Sequence, residues 1–472
     1  MSERVLLHSV GGRPGSALAR RLHRSTAPYG ELRPLVGPFS RPIVRISGRA
    51  DLLAEAAASL PDGAARPEAM AVRLRRQGIE LSWGEPDLLP DASAFFRLCQ
   101  ARGASSVELV RIDPSLLTEM QIGSFFHAYW RRRALRHALL RLRRVVRVTA
   151  VPATFLDGAS DLAFWLGVRS SATQQEWNRF ARSSYVVFYF HRIGHGGWPG
   201  HENLDLEVRR FERHLRLLRM FRFRALSPAE VIAFHDDPRM TLSPRSFVLT
   251  ADDAFRDAVD ALSAHGDLRP QVFVNTCAVG GTPPWTFTKP VATWNELESF
   301  AAVGGVVASH CRRHPRLPEL EAEELADELS GSLRDVRERF PAPPLMLAYP
   351  HGLHDERVRS AAEAAGYHAA FTTDAGRNGA GIDRYCLRRI GVKNWDGGAV
   401  FLWKALTGER WPWPLERLRM RYRRRTAGLP SGRAAAPSQL HRASAGRKSR
   451  PSPRGACRRL TGADDVDRRR GE

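Results

Sequence analysis

The chain has 472 residues, 43% of them hydrophobic, enough for more than one cored domain. Its net charge is +22, but residues 417–472 hold 17 Lys+Arg against 4 Asp+Glu, and Lys occurs only at 289, 393, 404 and 448. More than half of the excess therefore lies in the last 56 residues, which weakens the case for a polyanionic partner of the folded part and leaves specific nucleic-acid recognition unsupported. The five cysteines are odd in number and widely spaced, which excludes a disulfide framework and a Cys-rich zinc module.

In chain order, residues 5–8 read as a strand, followed by a Gly-rich turn at 11–15 and a helix-like run. That is also how nucleotide-binding folds open, although the full G-x-G-x-x-G spacing is absent. Residues 42–46, 106–112 and 145–150 read as further strands between Ala- and Leu-rich helical segments, so 1–170 is expected to be a small α/β domain. Arg131 to Arg147 reads as a helix with a solvated basic face. A polar stretch at 171–176 marks a plausible boundary.

From 184 to 408 short β-branched or aromatic runs alternate with helical ones. They fall at 185–190, 247–250, 271–274, 305–308, 345–348, 369–372 and 387–390. Such βα spacing predicts a parallel sheet, and this many repeats predict a barrel. His354 and Asp355 open a helix that Gly366 stops. Residues 418–472 are too poor in apolar side chains to fold and are expected to be a disordered basic tail. No run approaches the roughly 18–20 apolar residues that span a bilayer. The first eight residues carry too short an apolar run for a secretory signal, so a cytoplasmic location is expected.

The strand ends collect the chemistry. Asp252 and Asp253 follow the second run, at the entry to a helix whose face is Phe255, Val259 and Leu262. Asp caps helices readily, but two adjacent carboxylates repel, and a cation or a held proton relieves them. His310 and His314 follow the fourth run at i, i+4, one face of a helix if the chain turns helical there. His191 follows the first run and Tyr349 the fifth. One rim of a barrel would gather all of them. One Asp and two His suit zinc or another divalent ion and leave positions open for water and substrate; the second Asp then suits a general base.

These residues carry a resemblance. Thr250, Asp252, Asp253 and Ala254 resemble the Thr-Phe-Asp-Asp-Gly motif of the polysaccharide deacetylases, the NodB-homology carbohydrate esterases. His310, Cys311, His314, Pro315 and Leu317 resemble their Ser-His-Thr-x-x-His-Pro-x-Leu motif. Tyr349, Pro350 and Gly352 resemble their Tyr-Pro-x-Gly segment, and Tyr189, His191, Arg192 and Ile193 the opening of the branch with poly-N-acetylglucosamine deacetylases. The likeness covers about 185–396. It implies a distorted (β/α) barrel of NodB-homology type, one divalent metal, zinc first, on Asp253, His310 and His314, and Asp252 as base. It implies a backbone N–H at Tyr349 that holds the oxyanion and His191 as candidate acid. The implied activity is removal of N-acetyl groups from an amino sugar or glycan. The departures are Ala254 for Gly, Cys311 for Ser or Thr, Met346 where many members place an Arg that orients the base, and no late Leu-x-His. Two other functions stay open: a non-catalytic member that binds a glycan or a partner, and nucleotide-sugar binding by 1–170.

Overall fold

The computed structural model describes residues 4–12, 43–47, 49–83, 87–89, 91–141, 156–195, 204–282, 289–341 and 345–410. The described residues, all within 1–410, belong to one compact unit. The expected basic tail, the turn at 13–15 and the strand at 145–150 lie outside the described residues. Among those described, no helix is long and apolar enough to cross a membrane.

The chain opens on a small sheet. β1 (Arg4–Gly12) pairs antiparallel with β2 (Ile43–Ser47) and parallel with β3 (Glu80–Trp83) and β4 (Asp87–Leu89). The expected strand at 106–112 is instead the end of a 21-residue helix, Ala92–Ile112. The Asp91 carboxylate caps it by accepting from Ala94 N at 2.7 Å. Tertiary packing decides the conformation over the β-propensity of Val107, Val110 and Ile112. This helix crosses Leu156–Ser171 backbone to backbone. A Cβ on Gly103 would lie 1.9 Å from Phe164 O, and one on Gly167 would lie 1.9 Å from Gln100 O. The basic helix is Trp130–Arg141, and its basic face is partly inward, contrary to the expected solvated one. Arg136 is buried and donates to both Asp161 oxygens at 2.9 Å, and Arg133 is buried on Thr407 O at 2.6 Å. A buried guanidinium needs such acceptors, and Asp161 supplies the countercharge.

The barrel begins with β5 (Ser184–Phe190). A ribbon of β6 (Arg192–Gly194) and β7 (Asp205–Glu207) follows, and β8 (Arg224–Ala225) edges β9 (Ser246–Ala251). Then come β10 (Gln271–Val274), β11 (Val306–Ser309), β12 (Met346–Ala348) and β13 (Ala369–Phe371). The parallel order is β13-β12-β11-β10-β9-β5. β14 (Asn378–Gly379) runs antiparallel on β5, and β15 (Ile390–Gly391) runs parallel to it. A parallel bridge from Phe371 to Leu387 joins β13 to the segment leading into β15, so the sheet curls into a ring. This is the expected distorted (β/α) barrel.

Residues alternate across the wall. Val187, Val248, Phe273, Ala308, Met346 and Phe371 belong to the inner core, which continues into Phe125, Phe164 and Trp165 of the preceding helices. Val186, Phe188, Leu249, Val272 and Val307 face the outer helices. The N-terminal helical layer therefore shares one hydrophobic core with the barrel interior.

Candidate metal and catalytic centre

The strand β9 delivers Asp252 and Asp253 to the C-terminal rim. Asp252 N still bonds Phe190 O at 2.9 Å, and then the backbone reverses. Asp253 and Ala254 stand at φ +65° and +48°, the left-handed region that favours glycine. That is the physical reason for a Gly in the motif, and Ala254 adopts the same backbone at some strain.

His310 follows β11 directly, but no helix forms there. Cys311 and His314 take φ +65° and +60°, so a tight irregular loop, not a helical turn, brings the two imidazoles together. Their ring centroids lie 5.0 Å apart. The two imidazoles come together as expected, but not by the expected helical turn. His310 Nδ1 donates to Ala348 O at 2.7 Å, which turns Nε2 toward the site. Nε2 of His310 and of His314 lie 3.8 and 3.6 Å from Asp253 Oδ1. That oxygen is buried and has no hydrogen-bond partner. Among the described residues, Asp253, His310 and His314 are the one cluster of three or more such donors, with ligand atoms all within 4.8 Å of one another. A buried, unpartnered carboxylate oxygen facing two imidazole nitrogens is the chemistry of a divalent-cation site. Burial pushes the Asp253 carboxyl up to about 6, and pushes His310 down to about 3 and His314 to about 4. The histidines are thereby kept neutral, as ligation requires.

Asp252 is held differently. Burial acts to raise its carboxyl, but the Arg389 guanidinium overcomes this and holds it at about 2. Arg389 NH1 and NH2 donate to the two Asp252 oxygens at 2.6 and 2.9 Å, and Nε donates to Thr372 O at 2.9 Å. The guanidinium also lies 4.9 Å from the Tyr189 ring centroid. Met346 is buried in the barrel interior, and the guanidinium that meets Asp252 comes from the segment before β15. Arg389 was not singled out from sequence. Its signal was an Arg inside a run otherwise read as a buried strand, which demands a buried partner.

His191 sits half-buried on the same rim, 5.8 Å from Tyr189 by ring centroids. Tyr349 is fully buried. Its N–H donates to Phe371 O at 3.1 Å and its hydroxyl to Tyr385 O at 3.1 Å, so both are engaged in the barrel wall. His351, two residues on, is exposed at φ +59°, with its ring 4.4 Å from that of His314. The sequence motif contained it without giving it a part.

Comparison with known proteins agrees with the motifs. Residues 239–370 match the family described as polysaccharide deacetylase. No curated protein sequence matches the chain at a significant level. Among solved structures, the chain is similar to the Streptococcus pyogenes deacetylase PplD in complex with acetate, at 20% identity and TM-score 0.42, over 48% of this chain and 99% of that one. It is similar to IcaB from Ammonifex degensii, at 19% identity and TM-score 0.40, over 48% and 97%. It is also similar to a de-N-acetylase from Aggregatibacter actinomycetemcomitans, at 16% identity and TM-score 0.41, over 47% and 100%. The stretch 239–370, which matches the polysaccharide deacetylase family, is also the stretch of the curled parallel sheet that carries Asp253, His310 and His314.

Proposed function

We propose that the barrel is a divalent-metal-dependent hydrolase that removes N-acetyl groups from an amino sugar or glycan. The observation that carries this is the buried, unpartnered Asp253 Oδ1 facing two imidazole nitrogens, beside a second carboxylate pinned by Arg389. Asp253, His310 and His314 would hold the ion, with zinc first by donor type. When bound, the ion supplies Lewis acidity to the hydrolysis. Asp252 is ionised across the working pH range and fixed in orientation, so it can accept a proton from the attacking water. His191, half-buried on the same rim, would return a proton to the leaving amine. The water adds to the acetyl carbonyl carbon, the C–N bond breaks, and acetate and a free amine leave.

The test uses the full chain. Metal content by elemental analysis and acetate release from N-acetylated amino sugars and oligosaccharides are measured beside a His310→Ala/His314→Ala variant. Near-stoichiometric metal and acetate release, both lost in the variant, support the proposal. A parent that takes up no metal even from added zinc overturns it. A second reading, a glycan-binding member without turnover, is favoured by the engagement of the Tyr349 N–H with Phe371 O, since that donor must leave the sheet to hold an oxyanion. Metal uptake without acetate release from any acetylated sugar would select that reading.

A further inference from the structure

The loop that carries both histidines has its backbone groups tied from two sides. On one side, β10 and the turn after it hold the loop. His310 N bonds Val274 O at 2.8 Å, and Asn275 Nδ2 donates to His310 O at 2.5 Å. Thr276 N donates to Cys311 O at 3.1 Å, and Cys277 N to Arg312 O at 3.0 Å. On the other side, the amide of Cys311 donates to Ser309 Oγ of β11, while those of Arg312 and Arg313 point at one helix. Its regular pitch, Ala322–Ala326 and Ser332–Arg337, is interrupted by a π-helical stretch, Asp327–Gly331. Insertions of this kind recur at functional sites because they re-aim a side chain without ending the helix.

Here the re-aimed side chain is Glu328. It is 2% exposed, in a helix whose acidic neighbours Glu321, Glu323 and Glu324 are solvated. Its Oε2 accepts from Arg312 N at 2.8 Å and from Arg313 N at 3.1 Å, and its Oε1 accepts from Arg313 NH1 at 2.7 Å. One turn on, Ser332 Oγ meets Ser309 Oγ at 3.0 Å, and Ser309 Oγ accepts from Cys311 N at 3.2 Å and from Tyr367 OH at 2.8 Å. A Cβ on Gly331 would lie 2.7 Å from Arg312 Cδ, so the helix also approaches the loop closely. Backbone amides shielded from water need acceptors, and Glu328 supplies one for Arg312 and Arg313 as Ser309 does for Cys311. The motif offers a hydroxyl at position 311 for this work, but Cys311 is a buried thiol and a poor donor.

We infer that Glu328 is a positioning residue for the metal ligands: by holding the amides of Arg312 and Arg313 it fixes the spacing of His310 and His314. This rests on the metal-site reading above. The carboxylate touches neither ion nor substrate; it acts through two charge-assisted hydrogen bonds to the loop.

The test is zinc affinity of the full chain, by competition with a chromophoric chelator, and the absorption spectrum of the cobalt-loaded protein. Glu328→Gln keeps the shape and one acceptor. It is expected to weaken zinc binding by about 10-fold, and Glu328→Ala by about 100-fold, each with an altered cobalt spectrum. Arg313→Ala removes the side-chain ion pairs to Asp327 and Glu328 but leaves both amide bonds to Glu328, and it is expected to bind within about 2-fold of the parent. If Glu328→Ala fails to fold, Glu328→Gln decides alone. Parent-like affinity and an unchanged spectrum in a folded Glu328→Gln overturn the inference while the metal site stands. A parent that binds neither zinc nor cobalt overturns both.

Discussion

Two buried arginines stand at opposite ends of the same barrel and meet opposite needs. Arg377 lies at the N-terminal ends of the strands. Its guanidinium donates to Ser184 Oγ and O, Ala405 O, Leu406 O and Pro244 O, all neutral oxygens. It ties the first strand, the approach to β9 and the last helix, Gly398–Thr407, into one floor. Burial without a countercharge pushes it down to about 9. Arg389 lies at the C-terminal end and spends its fork on Asp252. The same side chain is thus a staple in one place and an orienting group in the other. What separates them is the partner: carbonyls ask only for hydrogen bonds, whereas a carboxylate at the rim asks for a charge and in return is held ionised and aimed.

Substitution sharpens this contrast. Arg389→Met is expected to lower acetate release by at least about 100-fold and stability by about 3–5 kcal/mol, because it leaves Asp252 buried and unpaired. Chemical denaturation of the double variant Arg389→Met/Asp252→Asn should show part of that stability restored with no activity regained. Full activity in the single variant would break the comparison. Arg377→Met should cost on the order of 2–3 kcal/mol through unpaired carbonyls, while kcat per folded molecule stays near the parent value. A kcat loss to match that of Arg389→Met would show that the two ends are not separate.

Acid acts on the fold through neutral histidines, His214 buried and His127 and His235 half-buried. Burial pushes His127 and His214 down to about 4 and His235 to about 3. Their folded values lie below the unfolded 6.5, so the unfolded chain binds more protons between these limits. Stability is complete above about pH 6.5 and falls as pH drops toward 4, by about 1.4 kcal/mol per histidine at pH 5.5. A melting temperature flat from pH 7.5 to 5.5 would contradict this. The smallest effect is expected at the turn after the Asp pair. Ala254→Gly should raise stability by about 1 kcal/mol, read by thermal denaturation, because the left-handed backbone no longer carries a Cβ.

Much of the barrel was legible because its strands are short β-branched or aromatic runs, buried on both faces, and the ring repeats them at βα spacing. Asp253, His310 and His314 were legible as residue types at strand ends. How His310 and His314 meet was not, because a left-handed backbone at Cys311 leaves no mark in an i, i+4 spacing. The helix Ala92–Ile112 was misread because Val107 and Val110 carry a strand-like local preference that packing against Leu156–Ser171 overrides. The engagement of the Tyr349 N–H could not be read at all, since it depends on the register of β12 against β13. Arg389 escaped because its partner is 137 residues away, and no local pattern spans that distance.

That separation orders events in time. Asp252 leaves the ribosome long before the segment holding Arg389, and through that interval its carboxylate has no counterion inside a closed wall. The ring joins only when Leu387 bridges Phe371 and Ile390 reaches Phe188, which is also when the guanidinium arrives. Closure of the barrel and arming of its centre are therefore a single late event, and a chain cut short of residue 387 would keep every proposed metal ligand yet lack the means to aim the base.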